Sequence, residues 1–116
     1  MDIDVLFASS AVSDLGRAQE WYEAFFGRPP DVVPNEHEVM WKATDSAWVY
    51  VIDDAGRAGH GVITLAVPQL EETIAGLATR GVTTRPIERV GDAGRKAIAI
   101  DPDGNSITLI EVGGAR

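Results

Sequence analysis

The segment IDVLFASSAV near the start of the chain alternates apolar with small or polar side chains, which predicts a strand over roughly residues 3 to 9. The period then changes. Leu15, Ala18, Tyr22, Phe25 and Phe26 recur at helical spacing, with Asp14 placed to cap the first turn and Gly27, Pro29 and Pro30 placed to end the pattern. Three strands are predicted next: a short one near Asp31 to Val33, one in EVMWKA and one in AWVYVID, the last two joined around Asp45 and Ser46. The order is β-α-β-β-β. DDAGRAGHG follows with no periodicity and reads as an exposed connection.

The same order then returns. GVITLAV predicts a strand, PQLEETIAGLATRG a helix opening with Pro68 and ending at Gly81, and three more strands complete the set. Overlaying AVSDLGRAQEWYEAFFG on AVPQLEETIAGLATRG, and ATDSAWVYV on DPDGNSITL, pairs Phe7 with Val62, Trp41 with Ala99, Trp48 with Ser106 and Tyr50 with Thr108. The chain therefore reads as one α+β domain over residues 1–116: module one about 1–53, a linker about 54–60 and module two about 61–113.

Side chains alternate across a strand, so Leu6, Ala8, Val49, Val51, Ile63, Leu65, Ile107 and Leu109 form an aliphatic layer suited to receive the helices. The other face is predicted to carry Phe7, Ser9, Trp41, Trp48 and Tyr50 in module one, and Val62, Thr64, Ala97, Ala99, Ser106 and Thr108 in module two. Trp41 and Tyr50 are expected to be cross-strand neighbours across the Asp45–Ser46 turn. A sheet with helices on one side and large aromatics on the other must curl around a ligand or pack on another chain.

Charge narrows the partners. The net charge is −8, with 18 acidic against 10 basic residues, and no basic stripe offsets it, so a nucleic-acid backbone would be repelled. The absence of cysteine closes disulfide, thiolate and Cys-zinc chemistry. The apolar stretch at the N-terminus is too short for a signal-peptide core or a membrane span, and a cytoplasmic address is expected.

Few residues on the open face carry chemistry. His37 and His60 are the two histidines; His60 shares the parity of Val62, which suits the cleft mouth, but its Gly-flanked connection also suits a solvated loop residue, whereas Glu36, His37 and Glu38 alternate in direction and cannot converge on one ion without a bulge. GRAGHG lacks the Lys-Ser/Thr ending of a phosphate loop. Arg85, Arg89, Arg95 and Lys96 read as dispersed surface charge. In DPDGN, Pro102 and Gly104 set backbone angles, which makes that motif structural.

The duplicated β-α-β-β-β unit, the helix ends EWYEAFFG and LATRGV, and the hairpin DPDGNSITLIE together resemble the vicinal oxygen chelate superfamily of glyoxalases, bleomycin-resistance proteins and extradiol dioxygenases. The resemblance covers essentially the whole chain. It implies two modules forming a half-open barrel with helices outside, and a homodimer. In metal-using members, ligands project from positions that fall here on Phe7, Tyr50, Val62 and Thr108, none of which is a normal ligand in that company. The reading is thus a protein without metal or other cofactor that binds a small aromatic or amphipathic molecule, in the manner of antibiotic sequestration. Its binding set is Phe7, Ser9, Trp41, Trp48, Tyr50, His60, Val62, Thr64, Ala99, Ser106 and Thr108, with no catalytic residue assigned. The alternative is a metal-independent isomerase, cyclase or lyase using Tyr50 as a general acid, with His60 beside it. A third is a dimerisation module.

Overall fold

The computed structural model describes residues 1–92 and 94–113. In module one, β1 (Leu6–Val12) leads through α1 (Leu15–Phe26) to β2 (Val32–Asn35), β3 (Glu38–Thr44) and β4 (Ala47–Asp53). A single 3-10 turn, Ala55–Arg57, connects to module two, in which β5 (Val62–Ala66) leads through α2 (Leu70–Thr79) to β6 (Glu88–Val90), β7 (Gly94–Ile100) and β8 (Ser106–Val112). The fold is α+β, two β-α-β-β-β modules with one four-stranded mixed sheet each, ordered β1-β4-β3-β2 and β5-β8-β7-β6. β1 and β5 are the edges at which the two sheets meet.

The helix boundaries follow local chemistry. Asp14 caps α1 by accepting a bond from the Arg17 amide at 3.1 Å, and Gly27 ends it in the left-handed conformation at φ 77°. α2 begins at Leu70, not at Pro68: Gln69 is its N-cap without a side-chain bond, and the Glu111 carboxylate takes the Leu70 amide at 2.7 Å instead. β1 likewise starts at Leu6, not at residue 3. Its ladder partner β4 begins at Ala47, so Met1–Val5 have no strand to pair with, while the far end gains Ser10 to Val12 by pairing with Val51 to Asp53.

One core lies between helices and sheets. Tyr22, Phe25, Val39, Trp41, Val49 and Val51 fill module one; Ile63, Leu70, Leu77, Ala97, Ile107 and Leu109 fill module two. The predicted aliphatic layer is present except at Leu6, which stays largely exposed at the sheet end. A large side chain fully buried here contributes about 1.5–3 kcal/mol.

Polar bonds fasten the modules together. The Tyr22 hydroxyl on α1 donates to Asp101 at 2.8 Å, and Ser13 donates through its amide and hydroxyl to Asp103. The buried Asn105 amide donates to the Ala11 carbonyl and to Asp101, both at 2.8 Å, while its oxygen accepts from the Gly61 amide at 2.7 Å. DPDGN is therefore structural, and the structure adds what it fastens: module one, the connection and module two. Arg80, just past α2, donates to the Ala24 and Phe25 carbonyls at the C-terminal end of α1, where a cation also suits the helix dipole. Among the described residues no helix is long and apolar enough to cross a membrane.

Candidate functional site

Sheet register decides which side chains can form a site. β1 pairs with β4 so that Phe7 lies beside Trp48 and Ser9 beside Tyr50; β5 pairs with β8 so that Val62 lies beside Ser106 and Thr64 beside Thr108. These eight residues share the face turned away from the helices, as the alternation predicts. Phe7 is 52% exposed and Val62 77%, while Trp48, Tyr50, Ser106 and Thr108 are half-buried.

Trp41 and Ala99 lie on the other face, which corrects the sequence expectation for both. Thr44 pairs with Ala47, but Lys42 pairs with Trp48, so Ala43 is an extra residue in β3. That bulge turns every residue before it to the opposite side. Met40 then faces Tyr50, and Trp41 faces Val49 beneath α1. Trp41 is 0% exposed, stacks on Phe26 at 5.2 Å and donates from its indole nitrogen to the Arg28 carbonyl at 3.0 Å. In module two Ile98 faces Thr108 and Ala99 faces Ile107, so Ala97 and Ala99 are buried among aliphatic side chains. The internal pairing of Trp41 with Ala99 holds; it is the face that differs.

A pocket of about 410 Å³ opens on the aromatic side of β1 and β4, lined by Ser9, Ala11, Tyr50, Ile52, Gly56, Arg57, His60 and Gly61. Ser9, Tyr50 and His60 belong to the sequence-derived set. Phe7 joins them by an edge-to-face contact with Tyr50, ring centres 6.5 Å apart and planes at 66°. The segment between the modules is more than a tether, because it supplies one wall of this pocket. Ala11 and Ile52 were legible from strand parity with Ser9 and Tyr50, whereas the position of Arg57 depends on the turn geometry. The Arg57 Nε donates to Asp54 at 2.7 Å, which holds Asp54 below the usual carboxylate range and raises the guanidinium further. Both side chains are solvated, so this pair orients Arg57 more than it stabilises the fold.

Val62, Thr64, Ser106 and Thr108 do not line that pocket. Trp48 and Thr64 border a second one of about 430 Å³, where the end of α1, the β3–β4 turn and β5 meet, with Phe26, Val49, Ile63 and Leu65 among its walls. His37 is exposed beside Glu36 on the β2–β3 turn, away from both.

A divalent ion at the place the family resemblance indicates would have two hydrocarbon side chains, Phe7 and Val62, one phenol and one hydroxyl for company. Hard and borderline ions need several carboxylate, imidazole or carbonyl donors, so these residues do not fit one. Among the described residues no three His, Asp or Glu side chains gather as a ligand set.

Known proteins agree with this architecture. The model of the glyoxalase/bleomycin resistance protein/dioxygenase superfamily matches residues 5–109. Among solved structures, a glyoxalase/bleomycin resistance protein from Catenulispora acidiphila DSM 44928 is 34% identical with a TM-score of 0.90, over 97% of this chain and all of that one. A superfamily member from Sphaerobacter thermophilus DSM 20745 is 28% identical with a TM-score of 0.68, over 92% and 95% of the two chains. TnmS3, an antibiotic binding protein from Streptomyces sp. CB03234, shares the fold at 22% identity, TM-score 0.78 and 97% coverage of each chain. No curated protein matches the chain.

Proposed function

Because the chain belongs to the glyoxalase/bleomycin resistance protein/dioxygenase superfamily, we propose that it is a metal-independent binding protein for a small aromatic or amphipathic molecule, sequestering an antibiotic or related natural product. One observation carries the reading: Tyr50, flanked by Phe7 and Ser9, stands on an open sheet face and walls a pocket of about 410 Å³. A planar ligand there gains ring contacts worth about 0.5–1.5 kcal/mol each beyond its buried area. Trp48, beside Phe7 in the ladder, extends the aromatic surface; Val62, Thr64, Ser106 and Thr108 continue the open face on the second sheet, outside this pocket. TnmS3 supports the assignment to the extent that the same fold serves antibiotic binding there. The exposed Phe7 and Val62 favour a homodimer, which a sedimentation measurement tests. We place the protein in the cytoplasm, an address that fractionation of the source cells checks.

The second reading is a metal-independent isomerase, cyclase or lyase, which the meeting of Tyr50 and His60 in one pocket favours. One experiment separates the two. Trp41 is buried and Trp21 stacks on Phe25, so Trp48 is the tryptophan on the open face, and its emission should change as planar aromatic antibiotics are titrated. Trp48→Ala and Tyr50→Ala should each weaken binding about tenfold, for a loss of roughly 1.4 kcal/mol. Ligand recovered unchanged supports sequestration; recovered product supports the enzyme. Affinities untouched by both substitutions would remove the site.

A further inference from the structure

The pocket beside Tyr50 has one cationic end. Arg57 projects from the 3-10 turn and lines the pocket together with His60, opposite the hydrocarbon of Ala11 and Ile52. Its Nε is committed to Asp54 at 2.7 Å, and among the described residues no hydrogen bond or ion pair engages its two terminal nitrogens. An arginine anchored through Nε presents its remaining N–H groups as a flat, oriented fork, the geometry that matches a carboxylate or a phenolate oxygen. Asp53 has the parity of Val51 and so points to the helix side, away from Tyr50 and Ile52, whereas Glu38, opposite Ile52 on the open face, has its carboxylate engaged by the Asn35 side-chain amide at 3.1 Å. Tyr50 and Arg57 line the same pocket, which sets the phenol and the guanidinium on one space.

We propose that this pocket takes a planar aromatic acid, its rings against Tyr50 and Ile52 and its anionic oxygen on the free nitrogens of Arg57. The inference rests on the binding role proposed above and names the ligand class. A protein of net charge −8 repels anions at long range, so recognition of an acid has to come from a local, oriented cation. Neutral and cationic aromatics lack a partner at this end and leave the fork hydrated.

The test uses a matched set of probes, 2-naphthoate, 2-naphthamide and 2-naphthylmethylammonium, titrated into the full-length protein at neutral pH and low salt by calorimetry. Naphthoate should bind about tenfold tighter than naphthamide, as a charge-assisted bond at a half-open site allows. Arg57→Gln, an exposed change that spares the core, should bring that ratio below about twofold. Equal affinities for naphthoate and naphthamide, or a ratio that survives Arg57→Gln, would overturn the acid-binding end while leaving the aromatic pocket standing. Preference for the ammonium probe would overturn it too. If none of the three binds, the binding reading falls together with this one.

Discussion

Tyr50 lies opposite Met40 across the β3–β4 ladder, and this places Trp41 on the far side of the sheet from the phenol. The two tryptophans of this hairpin therefore do different work. Trp41→Ala should cost about 3–5 kcal/mol of stability, because the indole is fully buried between α1 and the sheet. Trp48→Ala should cost about 1–2 kcal/mol, its effect falling mainly on ligand affinity. Urea midpoints of both variants check this, and equal losses would contradict the assigned faces.

The same relationship shows what the residues can and cannot reveal. The repeat, both helices, the caps at Asp14 and Gly27 and the aliphatic layer were all legible, since each is written in local spacing that the packing then rewards. The bulge at Ala43 was not. A hairpin turn at Asp45 and Ser46 is present as expected, yet one extra residue beside it reverses the parity of everything upstream, and no composition signal marks an alanine as bulged. Arg57 was missed for a related reason: periodicity says nothing about a segment whose shape is set by a single turn and by its contact with the DPDGN loop.

Tyr22 gives the fold an alkaline limit. Burial, reinforced by the neighbouring Asp101 charge, raises the Tyr22 phenol well above its ordinary range. The folded chain therefore keeps a proton that the unfolded chain releases near pH ~10, and stability falls as pH rises through that region, by up to about 1.4 kcal/mol per pH unit. Tyr22→Phe should cost about 1–2 kcal/mol at neutral pH by removing the bond to Asp101, and should flatten the alkaline decline. Denaturant midpoints from pH 8 to 11 measure both effects. An unchanged slope in the variant would mean that another group controls the decline.

Gly59 should resist substitution. It sits at φ 91°, and a Cβ there would stand 2.6 Å from the Asp103 carbonyl oxygen. Gly59→Ala should therefore destabilise by about 1–3 kcal/mol through backbone strain and the forced shift of the loop. Because the same connection carries Arg57 and His60 along the pocket, probe binding should weaken in step with stability. Thermal melting alongside calorimetry tests the coupling; a stable variant with normal binding would show that the close approach is unimportant.

Asn105 ties three parts of the chain with one side chain, and two substitutions separate its roles. Asn105→Ala leaves the Ala11 carbonyl and the Gly61 amide without their partner in a buried place, a loss of about 2–4 kcal/mol. Asn105→Asp keeps the shape and the acceptor for Gly61, but removes both donors and sets a second carboxylate against Asp101 at the contact Asn105 now fills. At neutral pH it should be at least as damaging as alanine. Two adjacent buried carboxylates hold a proton more tightly than the unfolded chain does, so the folded variant binds more protons and its deficit should shrink as pH falls from 7 toward 5. Alanine has no such recovery. Urea unfolding of both variants at the two pH values resolves the difference, and an aspartate variant as stable as the parent at pH 7 would show that the modules are held together without this amide.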